Sequence, residues 1–172
     1  GREVSIDCAS IAPQLSWGTS PQHSVDITAA VPDPAEAADA EARDLAARAL
    51  AYMQLSPGAR LIGTPIDAVY IGSCTNARLS DLREAARILR GRRVKPGVQA
   101  VCVPGSTPVR QAAEAEGIDR VFREAGFEWH EAGCSMCAGA NGDIGSPGQR
   151  CVATSNRNFE NRQGRDVRTH LA

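Results

Sequence analysis

From residue 66 onward the sequence alternates short apolar runs with capped helical segments, and this alternation constrains the fold more than any other feature. "IDAVYIG" (66–72) reads as a buried strand and "VQAVCVPG" (98–105) as a second one. Between them "SDLREAARILRG" (80–91) reads as a helix, with Ser80 as its cap and Gly91 as its stop. "TPVRQAAEAEG" (107–117) follows as a helix capped by Thr107, with Pro108 in its first turn and Gly117 at its end. A shorter helix, "DRVFREAG", leads to strands at "GFEWHE" (126–131) and "RCVATS" (150–155). A strand followed by a crossover helix pairs in parallel with the next strand, so the expectation is an α/β fold. It is a mostly parallel sheet with helices on both faces.

Residues 1–65 read differently, as a lead-in segment. Short strand-like pieces surround the loop "SWGTSPQ" (16–22), and the chain opens without an initiator Met, like the interior of a longer protein. "PDPAEAADAEARDLAARALAYMQL" then carries helix-start chemistry: Asp33 to cap, Pro34 at the first position and Glu36 where a capping-box carboxylate belongs. Leu45, Ala49 and Met53 recur at four-residue steps and define an apolar stripe. The expected organisation is this lead-in with its amphipathic helix, part of a larger parent chain, followed by an α/β unit over 66–172.

The charge balance narrows the function. A net charge of −1 gives no electrostatic case for nucleic acid or an anionic membrane, and the one basic cluster, "RGRRVK" (90–95), reads as a solvated turn. No apolar run approaches the roughly 20 residues that span a bilayer. Six cysteines in a chain with 42% hydrophobic residues are not needed as staples, so they read as thiols or ligands in a reducing, cytoplasmic setting.

In an open parallel sheet the loops that follow the strands gather at one edge, where ligands bind. Three chemistry-bearing stretches follow strands here: "GSCTNAR" (72–78), "GCSMCAGANGD" (133–143) and "SNRNFENRQGR" (155–165). They bring Cys74, Cys134 and Cys137 toward one another, with Gly133, Ala138, Gly139 and Ala140 leaving room for main-chain N–H groups around a bulky anion. Cys134 and Cys137 alone suit a redox pair or half of a zinc site. A closed zinc site wants a fourth ligand, for which His130 is the one candidate. An iron–sulfur cubane on three thiols leaves one iron open, which suits a catalytic Lewis acid. Arg157 and Arg162, on a loop with Asn156, Asn158 and Asn161, suit carboxylates, because guanidinium forks bind them through two parallel hydrogen bonds. Cys8, Cys102 and Cys151 read as small buried hydrophobes, and His23, His130 and His170 as loop or strand-end residues without paired carboxylates.

"YIGSCTN", "GCSMC" and "TSNRNFENRQGR" ending in "RTHL" together resemble the aconitase superfamily, in particular its isopropylmalate dehydratase (isopropylmalate isomerase) large subunits. The resemblance covers nearly the whole chain, including "IAPQLSWGTSP", and corresponds to the C-terminal third or so of a full large subunit. It implies an aconitase-like α/β/α domain in which Cys74, Cys134 and Cys137 ligate a 4Fe–4S cluster that is lost in air. It also implies that Asn156, Arg157 and Arg162 hold the carboxylates of a small di- or tricarboxylate. In that family the iron without a protein ligand binds the substrate hydroxyl and helps water leave and return to the neighbouring carbon. The acid–base residues belong to other domains and to a small dehydratase subunit, so this segment alone is expected to be inactive. Asn161 stands where the family usually has Gly, and "AGANGD" follows Cys137 where bulkier residues are common. The first leaves open how Arg162 approaches substrate, and the second leaves open a paralogue acting on citramalate or another methylmalate, or on homoaconitate. The alternative of another class is a non-catalytic CxxC metal or redox module.

Overall fold

The computed structural model describes residues 2–139 and 142–172, so the expectation for Ala140 lies outside the described residues. The lead-in forms a hairpin, β1 (Gln14–Ser16) and β2 (Ser24–Asp26), followed by helix α1 (Ala40–Met53). The strands β3 (Ala68–Gly72), β4 (Gln99–Val103), β5 (Glu128–Trp129), β6 (Arg150–Ala153) and β7 (Arg168–Leu171) form one sheet in the order β5-β4-β3-β6-β7. Every neighbouring pair in it is parallel. The α/β expectation holds. The chain steps outward from β3 through β4 to β5, then crosses to the other side of β3 with β6. The order therefore reverses between β3 and β6, and loops leave those two strands in opposite directions. Such a switch point opens a crevice at the carboxyl edge of a parallel sheet.

Register assigns the two faces. Tyr70 stands opposite Val101 and Ala153, and Ala68 opposite Cys151, so these side chains share one face. Ile71, Ala100, Cys102 and Trp129 share the other, where helices α2 (Leu79–Leu89), α3 (Thr107–Ala115) and α4 (Ile118–Ala125) pack through Leu82, Ala86, Ala113, Ile118 and Phe122. Phe122 has no exposed surface and meets Phe127 edge-on at 5.3 Å. Burying a ring of that size is worth about 2–3 kcal/mol. The first face, where helices were expected as well, carries instead the 3₁₀ turn Ser135–Cys137 among the described residues, whose Met136 packs with Tyr70, Val101, Val103 and Val167. The cysteine pair thus lies on the core.

Several helix starts differ from the sequence reading. Asp33, Pro34 and Glu36 form a separate 3₁₀ turn that ends when Ala37 becomes extended. Helix α1 begins at Ala40, capped by the Asp39 carboxylate, which accepts from the Ala42 N–H at 2.8 Å. Its buried residues are Ala49, Leu50 and Met53, whereas Leu45 is exposed. The packed stripe thus follows the i, i+1, i+4 spacing of a helix face. In α2 Ser80 lies inside the first turn, and the Arg78 N–H donates to the Asp81 carboxylate at 3.0 Å. In α3 Ser106 caps and Thr107 is the first helical residue. The basic turn at 90–93 is exposed, as read.

Strand β7, "RTHL", has no apolar alternation to mark it, and its polar side chains hold the lead-in to the sheet. Buried His170 donates from Nδ1 to the Ser16 carbonyl at 2.7 Å and accepts at Nε2 from Arg150 at 2.8 Å. Arg150 also donates to the Met53 carbonyl at the end of α1. Asn158 donates to the carbonyls of Gly18 at 2.6 Å and Thr169 at 2.9 Å. His23 stacks on Trp17 at 4.4 Å. His130 does have a carboxylate partner, Glu128 at 3.0 Å, which corrects the expectation for that residue; both lie at the end of β5 on the surface. Among the described residues no helix is long and apolar enough to cross a membrane.

Candidate metal centre

Cys74 sits just past the end of β3 on a loop fixed to both neighbouring strands. Gly72 has φ 143°, and a Cβ there would lie 2.2 Å from the Val103 carbonyl oxygen, so only glycine lets β3 end beside β4. The Gly72 N–H donates to the Thr154 hydroxyl at 3.0 Å, and the Asn76 side chain donates to the Thr154 carbonyl. From the other side the Gly105 N–H donates to the Ala77 carbonyl at 3.0 Å. Buried Ser73 is held at φ 100°, a conformation that costs a non-glycine residue about 1–3 kcal/mol and persists where its surroundings impose it. The Cys74 thiol itself is exposed.

Cys134 and Cys137 bracket the 3₁₀ turn, closed by the Cys137 N–H donating to the Cys134 carbonyl at 2.9 Å. Two side chains from distant parts of the chain hold this turn. The Tyr70 hydroxyl donates to the Cys134 carbonyl at 2.9 Å. Burial first, and the neighbouring Cys137 and Cys134 next, hold the Tyr70 phenol above its usual range, so it remains a neutral donor. From the loop after β6, Arg162 donates from Nε to the Cys137 carbonyl at 2.6 Å, from Nη2 to the Cys137 sulfur at 3.1 Å, and from Nη1 to the Arg157 carbonyl.

That geometry separates residues the sequence treats alike. Asn156 and Arg157 are exposed, whereas Arg162 is only 6% exposed, with its donors directed inward. Asn161 adopts φ 66°, a left-handed conformation that glycine enters most easily. Asn is among the side chains that enter this region most readily, and here its Oδ1 also accepts from the Asp166 N–H at 2.8 Å. Cys102 and Cys151 are fully buried, as expected, and burial pushes the Cys151 thiol up to about 12. Cys8 is exposed, contrary to expectation, because its segment joins none of the apolar clusters. The roles of Tyr70, Thr154 and Arg162 in holding the cysteine loops were not read from the sequence. The signal for Tyr70 was a phenol inside an inward-facing strand alternation, because a buried hydroxyl needs a partner.

The structure brings the cysteine pair together on Tyr70 and delivers Cys74 to the carboxyl end of the same strand. Among the described residues no group of three or more His, Cys, Asp or Glu side chains is assembled closely enough to hold a metal ion. The donor chemistry nonetheless fits an iron–sulfur group: Cys74, Cys134 and Cys137 are unpaired thiols, two of them exposed, and thiolates are the ligands such a group takes. The buried hydroxyls of Ser135 and Ser155 are without a partner among the described residues, and they flank this site from the cysteine turn and from the end of β6.

Residues 1–172 match the aconitase family (aconitate hydratase). The chain is 60% identical over 171 residues to the 3-isopropylmalate dehydratase large subunit of Cupriavidus necator, a match that covers 99% of this chain and 64% of that one. It is 58% identical over 171 residues to the 3-isopropylmalate dehydratase large subunit 1 of Bradyrhizobium diazoefficiens, covering 99% of this chain and 36% of that protein. It thus spans between about a third and two thirds of the length of these relatives. With a parallel sheet whose strand order reverses beside β3 and a match along its entire length, the chain belongs to the aconitase family.

Proposed function

We propose that the chain is the cluster-bearing part of a cytoplasmic hydro-lyase large subunit that interconverts 2-isopropylmalate and 3-isopropylmalate in leucine biosynthesis. What supports this reading is that the Cys74 loop, the Cys134–Cys137 turn and the Arg157–Arg162 loop each follow a strand of one parallel sheet, with Arg162 touching a cysteine sulfur. Cys74, Cys134 and Cys137 would hold a 4Fe–4S group. When bound, that group supplies an iron with an open position, a Lewis acid for the substrate hydroxyl. Asn156 and Arg157, exposed beside it, orient a substrate carboxylate by charge-assisted hydrogen bonds. Tyr70 and Thr154 fix the loops that present the thiols. Unpaired thiols throughout the described residues support the cytoplasmic placement. The acid–base groups come from the rest of the large subunit and from a small dehydratase subunit, so the chain alone is inactive.

The decisive experiment uses the complete large subunit with its small subunit, reconstituted anaerobically, and compares turnover of 2-isopropylmalate, citramalate and homocitrate. Preference for 2-isopropylmalate, with loss of iron and sulfide in Cys74→Ser, is the expected result. Preference for another of the three reassigns the substrate, and turnover of none overturns the enzyme. A second reading, a CxxC metal or redox module, is favoured by one observation: the pair is assembled while Cys74 stands outside any common ligand group among the described residues. Unchanged metal binding in Cys74→Ser would establish it.

A further inference from the structure

The chain is close to neutral, but its charge is unevenly spread. Residues 90–95 carry Arg90, Arg92, Arg93 and Lys95 and no carboxylate, whereas residues 33–44 carry five carboxylates and the single cation Arg43. All four cations of the first set are exposed, and so are Glu36, Glu41 and Asp44 of the second. Among the described residues none of these seven side chains has an oppositely charged partner. Asp33 and Asp39 are used as helix caps.

Each set also borders apolar surface. Arg92, Arg93 and Lys95 line an open groove of about 640 Å³ together with Val94, Phe127 and the half-exposed Ile88, and no acidic residue lines it. Residues 63–66 and 94–98, which lead into β3 and β4, form two of its sides. The groove therefore lies at the opposite edge of the sheet from the cysteine loops. On α1 the spacing of Glu41, Asp44 and Leu45 places them on one helix face. That face is turned away from Ala49, Leu50 and Met53, through which the helix packs, and Leu45 is 46% exposed. A helix that carries a leucine beside two carboxylates is the counterpart of an apolar groove lined with cations. Nucleic acid is a poorer match, because Phe127, the one aromatic ring in the lining, is buried and offers no stacking face.

We propose that this groove receives the acidic face of helix α1 from a second copy of the chain, with Leu45 entering it while Glu41 and Asp44 meet Arg92, Arg93 and Lys95. The contact is head to tail. Each pair of copies keeps one free groove and one free helix, so association continues with concentration unless the rotation closes a ring. The charges stand at the surface, so salt weakens the contact. The edge that carries the cysteine loops stays open, and the inference is independent of the reaction assigned there.

The test is sedimentation of the full chain over a range of concentrations, with reductant present so that no intermolecular disulfide contributes. In about 0.02 M salt the average mass should rise at least about twofold with concentration, and in about 0.5 M salt, where surface charges are screened, it should return to 18.2 kDa. Two variants reverse the charge of one side each: Arg92→Glu with Arg93→Glu, and Glu41→Lys with Asp44→Lys. Each alone should remain a single chain, and an equimolar mixture should associate again, because each groove then faces a helix of opposite charge. All four substitutions are at exposed positions, and circular dichroism checks the fold. Leu45→Ser, with every charge kept, should weaken association and decides the matter should a charge variant fail to fold. A wild type that stays a single chain at low salt would overturn the proposal, and capture of a labelled acidic peptide by that single chain would give the groove to a different protein. Association indifferent to salt and to both sets of substitutions, or lost in one variant but not restored by mixing, would overturn it as well.

Discussion

His170 makes the attachment of the lead-in to the sheet sensitive to acid. The ring is buried between β7, the Ser16 carbonyl and the Arg150 guanidinium, and burial first, then the charges of Arg150 and Arg168, hold its pKa down to about 4. The Ser16 carbonyl, accepting from Nδ1–H, opposes this but does not reverse it. Protonation would place a second cation on Nε2, 2.8 Å from an Arg150 nitrogen that now donates to it. In the unfolded chain the same ring titrates near 6.5. Between these values the unfolded state binds more protons than the folded one, so stability is full above about pH 6.5 and declines as the pH falls. At ~1.4 kcal/mol per unit the whole window is worth about 3 kcal/mol, of which about 2 kcal/mol is lost between pH 7 and pH 5. Urea unfolding at pH 7, 6 and 5 measures it, with His170→Gln as the reference that removes only this titration. His23, also lowered by burial, acts in the same direction but equally in both proteins. Parallel stability–pH curves for the two proteins, or a ring titration near 6.5 by NMR, would refute the reasoning.

Other substitutions probe the loops that build the site. Gly72→Ala forces a Cβ onto the Val103 carbonyl at a φ of 143°, and should cost about 3 kcal/mol or more, read as a large drop in thermal midpoint or loss of soluble protein. Asn161→Gly loses the Asp166 hydrogen bond but gains left-handed freedom and should leave stability within about 1 kcal/mol, whereas Asn161→Ala, which loses both, should cost about 1–2 kcal/mol, read by urea unfolding. Asn158→Ala leaves the Gly18 and Thr169 carbonyls without their donor. It should cost about 2 kcal/mol and raise protease sensitivity in the 17–23 loop, checked by limited proteolysis.

What could be read from the sequence follows from the range over which each signal acts. Strand periodicity and helix stops are written within a dozen residues, so the strands around Tyr70 and Val101 and the glycine stops at 91 and 117 were legible. Helix starts were displaced because adjacent residues compete for the same role. Ser106 and Thr107 are both good caps, and so are Asp33 and Asp39, and the choice falls where the following turn can pack. Strand β7 was hidden because its residues are held by partners more than a hundred positions away, at Ser16 and Gln54, and no local pattern records them.

The same distinction governs the site. A parallel sheet fixes where its loops emerge, so the shared edge of three loops followed from the order of strands and helices alone. Which donor meets which acceptor on that edge depends on side-chain torsions, and these are chosen by packing. Arg157 and Arg162 share a loop and a chemistry, yet Arg157 remains exposed while Arg162 turns inward to the cysteine turn. The left-handed residue at 161 lies directly before Arg162, and the backbone reverses there. An extended residue at that point would direct the next side chain along the loop instead of toward Cys137. Asn161 thus holds a left-handed conformation, and the contact that Arg162 makes with the Cys137 sulfur depends in part on a torsion twenty-four residues downstream in the chain.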